Sequence, residues 1–573
     1  MKKMRKIFVA AALLAVSAAA GAQTVYDAME FSRNHYFGTA RSMAMGNAVT
    51  ALGGDLGSVG INPAGSAVAG YGQFVITPGV TVSSVNSFYS PEGESAYGAG
   101  NRQTGARMNL PDFGLSMHFA TGRRSGLKSV TFAIVSNQTE SYHFASEAFG
   151  TNGLTSKIAE FADAASGISE SLLAGYGSFN TSDIPWDILT AYNGGMFGTY
   201  GRDGVYAGVT ETIADDGSYH YVSGPLSQTS VVSKRGNKND LLLNLGLNIS
   251  DRVYVGFNVG MPSARYRYAE TFYEAAVNPE QFAIVYNEGG EEYLTYFKRG
   301  VYDYQYTADI DGIYAKIGII VRPSDGLRLG ASFQTPTALT VSENWKYTAA
   351  TAFDDSYYDA AASSPVGEYS YMLRTPYRAS FGAAYAFGSR GLVSADYELA
   401  DYGVMRFSEL HDDRLSGDSF AAQNWANRHF TGVAHSLRLG GEFKLTPSFS
   451  LRAGYTLATS PERWWTDSEG VAVDAGAALA DYEAYLNRIK NLVTPHYYGD
   501  RTRSVSVGFG WSSAGSFFAD AVVRCTQYPD STFSPYYDYA CRDRDGRLLA
   551  AASPRILRER RLWNAAVTLG WRF

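Results

Sequence analysis

Residues able to do chemistry are few in this chain, and their spacing argues for binding rather than catalysis. The eight histidines form no HExxH or paired arrangement for zinc. Neither a GxSxG elbow nor a phosphate-binding glycine loop occurs. His118 and His143 fall within alternating segments and read as lumen or rim residues. Asp543-Arg544-Asp545-Gly546 echoes a calcium loop but reads as a solvated turn. No catalytic residue, metal or cofactor is expected.

Apolar spacing offers more. Leu154, Ile158, Phe161, Ala165, Ile168 and Leu172 recur every three or four residues, which predicts an amphipathic helix. A second short helix is expected over 184–192, with Trp186, Ile188 and Leu189, and a third along Leu479, Tyr482, Leu486, Ile489 and Val493. An apolar helix face needs cover. Leu154, Ile158, Phe161, Ile168, Leu172, Trp186 and Ile188 are therefore candidates for a hydrophobic groove; the alternatives are a cap over a mouth or a docking face for a protein. Arg41 and Arg107 are candidate cations for an acidic headgroup, against the plainer reading of solvated arginines. Cys525 and Cys541 are the only cysteines. In an exported chain one disulfide between them is expected, two free thiols being the alternative.

These residues have to be positioned by something, and the chain's start says where. Lys2, Lys3, Arg5 and Lys6 precede an apolar run, Ile7 to Val16, that is too short to span a bilayer. Ala20-Gly21-Ala22 is a cleavage site, so residues 1–22 are read as a signal peptide. Of 48 basic residues, 44 remain after those four, against 55 acidic ones. That excess of acid speaks against a nucleic-acid partner, which needs a basic face. No later run of roughly 18 apolar residues forms a membrane helix.

From Gly72 onward the chain alternates. Leu243, Leu245, Leu247 and Ile249 share one face while Asn244, Gly246 and Asn248 share the other; Trp563 to Phe573 repeats the pattern. A β-sandwich alternates too. The count decides: fourteen such segments, an even number, are joined by short turns that alternate with long loops, the largest over 144–225. The expected fold is an all-β membrane protein, a 14-stranded antiparallel transmembrane β-barrel with short helices in its extracellular loops. Its barrel domain is 72–573.

Residues 23–71 do not alternate and are rich in small residues, which suits an N-terminal plug packed in a lumen rather than a periplasmic tether. Gly46-Asn47-Ala48, Asp55 and Asn62-Pro63-Ala64-Gly65, running into the first strand, resemble the N-terminal hatch of the FadL/TodX (OMPP1) family. Gly330 to Pro336 is similar to a mid-barrel segment of that family. The resemblance implies a Gram-negative outer-membrane transporter of hydrophobic or amphipathic small molecules, such as long-chain fatty acids or hydrocarbons. It implies loop helices that capture the molecule, a lumen site near the hatch, and a sideways exit at a kink in the third strand. Leu127 to His143 has neither Gly nor Pro, whereas Pro78-Gly79, Pro111, Pro262 and Pro336 interrupt other strands. Further expected partners are outer-membrane lipid and lipopolysaccharide, and the barrel-insertion machinery that reads the terminal aromatic Phe573. A second implied function is an accessory barrel of type IX secretion that binds a secreted protein.

Overall fold

Side chains decide the sidedness of this protein before topology does. In the computed structural model, Leu241, Leu243 and Ile249 are exposed while Lys238, Asp240, Asn244 and Asn248 on the same strand are buried. Phe132 is 53% exposed and Val507 59%, while Thr131 and Ser506 are buried. An apolar exterior around a polar interior is inverted relative to a water-soluble core. It fits a wall whose outer solvent is lipid. The structure describes residues 24–573 apart from 92–95, 175–178, 180–183, 215–216, 289, 411–418, 468–471, 474–491, 514, 540 and 550–552. The signal peptide and nearly all of the third loop helix lie outside the described residues.

Fourteen antiparallel strands close into one barrel. They are β1 (Gln73–Ser90), β2 (Asn101–Ala120), β3 (Leu127–Ser141, resuming at Phe144–Asn152), β4 (Leu226–Arg235 and Asn237–Ile249), β5 (Val253–Ala276), β6 (Glu291–Val321) and β7 (Leu327–Gln334 and Ala338–Phe353). The second half is β8 (Gly367–Arg374 and Arg378–Ala386), β9 (Gly391–Asp401 and Arg406–Glu409), β10 (Val433–Lys444), β11 (Phe449–Thr459), β12 (Arg501–Ser512), β13 (Phe517–Gln527) and β14 (Arg555–Arg572). Closure is made by β1 on β14, in register from Gln73↔Arg572 to Ser90↔Arg555. Every segment expected from alternation is a wall strand, and several run past their expected ends, β3 the furthest, which continues nine residues beyond His143 into the stretch expected as the largest loop. Short turns gather at one rim, where Gly72 and Phe573 exchange backbone hydrogen bonds of 3.0 and 2.9 Å. Long loops crown the other.

Residues 24–72 run down the lumen from the loop end to the turn end. They carry α1 (Val25–Ser32), α2 (Ala40–Ala44) and two 3-10 turns, Leu56–Ser58 and Pro63–Val68. The wall approaches them through inward-facing glycines. A Cβ on Gly256 would lie 2.2 Å from the Pro63 carbonyl carbon, and one on Gly454 2.1 Å from the Gly46 nitrogen. No side chain fits there. Alternation explains the sequence at these points: the lumen-facing slot is occupied by glycine wherever backbone meets backbone.

Candidate functional site

The hatch motif works as a scaffold. Gly46 and Asn47 both adopt left-handed backbone, and Asn47 Nδ2 donates to the Tyr36 carbonyl at 2.6 Å. Asp55 starts the first 3-10 turn without capping it; its carboxylate accepts instead from Thr39 Oγ1 at 2.6 Å. Asn62 Oδ1 accepts from the Ala64 nitrogen, while Nδ2 donates to the Thr50 carbonyl at 2.7 Å and reaches the Ile319 carbonyl on β6 at 3.2 Å. Pro63 opens the second turn, and the Gly65 carbonyl accepts from Gly54. All seven motif residues serve to fold the segment or tie it to the wall.

Wall cations hold the rest of the segment by its carbonyl oxygens. Lys238 Nζ donates to the carbonyls of Phe31 and Arg33, Arg378 to Ser32 at 2.6 Å, Arg524 to Tyr36 at 2.9 Å, and Lys316 to Gly60 at 2.6 Å. Glu398 lies between Arg378 and Arg438, at 3.2 and 2.9 Å. Arg41, a candidate headgroup cation, is committed to Glu442 at 3.0 Å, which also takes Arg452. Arg107 is exposed on β2. Displacing residues 31–33 alone would free Lys238 Nζ and the Arg378 nitrogen that faces Ser32, while Arg378 keeps Glu398. Both were missed because they lie far from the motif, although each occupies the polar face of an alternating strand.

Above this polar belt the lumen is aromatic. Tyr142, Tyr266, Tyr306, Trp345, Tyr371 and Phe407 line a chamber filled by Val25, Met29 and Phe31 of α1. α6 (Ala421–Phe430) roofs it through Phe430. Thr24 and Asp27 make a capping box at the start of α1. Burial, only partly offset by Thr24's hydrogen bonds, pushes Asp27 up to about 6.

The expected capture groove is filled. α3 (Lys157–Ala164) and α4 (Glu170–Leu173) are separate, because the chain breaks at Gly167 in left-handed backbone. Ile158 and Phe161 of α3, with Ile188 of α5 (Trp186–Asn193), are buried in a solid core with Phe297, Tyr302 and Phe353 of the wall. Ile168 and Trp186 flank that core, Leu154 is half-buried, and Leu172 points to solvent. The module is fixed to the rim by Glu274 of β5, whose carboxylate accepts from Ser156 Oγ (2.9 Å) and from the backbone nitrogens of Lys157 (3.0 Å) and Ile158 (3.1 Å). A carboxylate there meets the free N–H groups at the start of α3. Burial pushes Glu160 and Glu211 of this module up to about 7.

One further expectation is corrected, the disulfide. Cys525 and Cys541 are both free thiols. Cys525 stands in the wall, in register with Trp563, while Cys541 sits in a loop hairpin against Leu549. The Asp543 turn is closed by its own carboxylate, which accepts from Asp545 and Arg547 nitrogens. Among the described residues no group of three or more His, Cys, Asp or Glu is placed to hold a metal.

Among the described residues, pairing within the wall is interrupted between β2 and β3. β2 pairs with β3 only from Ala120↔Ser129 up to Asp112↔Asn137; beyond that point β2 pairs with β1 alone. The separation starts at a register shift in which Pro78 faces Leu110 and Pro111, and such a bulge sharpens strand twist. The edge that β2 vacates is taken from inside: His35 N donates to the Thr139 carbonyl at 2.7 Å and Phe37 N to Gln138 at 3.1 Å. Asn109 Nδ2 bridges to Gln138 Oε1 at 2.7 Å below, and Gln103 to Glu147 at 2.5 Å above. Arg107 overlooks this gap.

No protein-family model matches the sequence, and no curated protein shows significant similarity to it. Among solved structures, a FadL homologue of Pseudomonas aeruginosa superposes over 95% of this chain and 100% of its own, at 10% identity and a TM-score of 0.47. The toluene transporter TodX of P. putida covers 93% and 98% at 13% identity and a TM-score of 0.44. The toluene transporter TbuX of Ralstonia pickettii covers 93% and 98% at 12% and 0.42. At such scores the likeness carries no inference of its own. The transmembrane barrel stands on its strand pairings and on the lipid-facing polarity of its wall.

Proposed function

We propose that this barrel carries hydrophobic or amphipathic small molecules across a Gram-negative outer membrane and releases them sideways into the bilayer, with residues 23–71 as the plug. The observation that carries this reading is the gap between β2 and β3. A route straight down meets a belt of ion pairs and packed backbone, whereas the aromatic chamber lies beside an interrupted wall. In this reading a fatty-acid-like or hydrocarbon molecule enters the chamber by displacing α1. An acidic headgroup then takes Lys238 and Arg378 in place of the carbonyls of residues 31–33, exchanging one set of charge-assisted hydrogen bonds for another.

The test is a reversible lock. Asn109→Cys with Gln138→Cys, in a Cys525→Ser, Cys541→Ser background, places two thiols across the gap, to be joined by a short, reducible bifunctional thiol reagent. Cross-linked protein is expected to lose uptake of a hydrocarbon or long-chain fatty acid by about tenfold, with binding retained and uptake restored by reductant. Uptake indifferent to the lock would defeat the sideways route. The accessory-barrel reading, binding of a secreted protein at the surface, is favoured by one observation, the solid loop module where a groove was expected. It takes over if neither the cross-linked nor the reduced form takes up any hydrophobe while the loop module retains a stoichiometric secreted protein.

A further inference from the structure

The outer wall carries a feature that the transport reading does not use. Across β4, β5 and β6 the membrane face is hollowed, and the hollow is lined by Leu243, Phe257 and Ile317, with Met117, Phe132 and Phe333 at its sides; its volume is about 700 Å³. Its origin is internal: Gly246, Gly256 and Gly318 let these strands press in against the Asn62–Ser66 turn. Directly above, on the same three strands, lies a second hollow of about 560 Å³. Arg235, Arg265 and Arg267 line it with Asp309 and Asp311.

The charges there are not balanced. Arg265 is spent on Asp309 through Nε at 2.5 Å and Nη2 at 2.7 Å. Arg235 and Arg267 stand directly opposite each other across β4 and β5. Among the described residues neither forms an ion pair. Like charges in register on adjacent strands cost stability, and an anion shared between them would remove that cost. The height is also suited. Met261 and Ile313 end the continuous outward apolar run on their strands, and Arg267 lies six residues beyond Met261. That is about 14 Å of climb for a strand rising ~3.4 Å per residue at a tilt of ~45°. An arginine side chain reaches back over about half of it toward the headgroup plane.

We infer that β4–β6 hold one phosphorylated outer-leaflet glycolipid of the lipopolysaccharide type, its phosphate between Arg235 and Arg267 and its acyl chains in the apolar hollow below. Two planar guanidiniums suit a phosphate dianion, each able to give paired N–H donors. The site is on the outside of the wall, so it depends on the barrel's seat in the outer membrane and not on what the lumen carries.

The experiment is native mass spectrometry of the full barrel in mild detergent, with diphosphorylated lipid A added as the probe. One lipid per barrel is expected to be retained. Arg235→Gln with Arg267→Gln should weaken retention by about tenfold, and enzymatic removal of the lipid phosphates should do the same to the unmodified protein. Arg501→Gln with Arg503→Gln, outward arginines of β12, should change nothing. Migration as a heat-modifiable barrel on a gel shows that each variant is folded. Equal retention by the Arg235/Arg267 variant, or of dephosphorylated lipid, would overturn the assignment. So would full displacement by millimolar inorganic phosphate, which would make this a free-anion site.

Discussion

Single residues here act mainly by being absent or by being charged in the right place. Gly256 has the Pro63 backbone where its side chain would be. Gly256→Val should leave the wall assembled, because valine suits a strand, but force the N-terminal segment off its seat at a cost of about 1–3 kcal/mol. Planar-bilayer recording should then show ion current where the parent is closed; a silent variant would mean that the segment tolerates the displacement. Glu274 is the converse case, a buried carboxylate with three donors around the start of α3. Glu274→Gln keeps the shape and removes the charge. The expected loss is about 1–2 kcal/mol of loop-module stability, read as faster amide exchange in α3 with β5 unchanged.

At the scale of elements, the loop module and α1 share a pH sign. Glu160, Glu211 and Asp27 all have carboxyls raised by burial. The folded form therefore holds protons that the released form would lose. Stability is full below the ordinary carboxyl values and declines as pH rises from them to the raised value, about 7 for the loop pair and about 6 for α1, above which it is level. Burial holds His220, beside Glu211, below its ordinary value of 6.5, so it acts in the opposite sense below that value and not at all above it, one group against two carboxyls. Amide exchange in α3, corrected for its intrinsic rate, should quicken as pH rises from about 4.5 to about 7 and level off above. Glu160→Gln with Glu211→Gln should flatten that dependence. An equally steep profile in the double variant would locate the effect elsewhere.

For the whole molecule, the gap in the wall is a property of two elements at once. Pro111 begins the departure of β2, yet residues 35–37 occupy the edge that β2 gives up. Restoring an N–H alone cannot restore pairing to an edge already bonded. Pro111→Ala is therefore expected to keep hydrocarbon uptake within about twofold of the parent. A collapse of uptake would show that the proline by itself holds the strands apart.

The sequence by itself determined the barrel: strand number, sidedness, short and long rims, and the places where the N-terminal segment would be built of small residues. These follow from period-two alternation and turn spacing, which are local and read in one pass. Alternation even marks Lys238 and Arg378 as lumen residues, since they oppose apolar faces. It does not say what they meet. Only the tertiary structure decided that they hold carbonyls of residues 31–33, that Arg41 is bound to Glu442, and that Cys525 and Cys541 stay apart. The same holds for the groove. Helical spacing at Ile158 and Phe161 gives an apolar face, but its cover comes from Phe297, Tyr302 and Phe353, more than 130 residues away. Which strand edge goes unpaired is likewise set by distant backbone, His35 and Phe37 reaching Thr139 and Gln138. Periodicity fixes the direction in which a side chain points; the closing of the chain around its own N-terminal segment fixes what waits there.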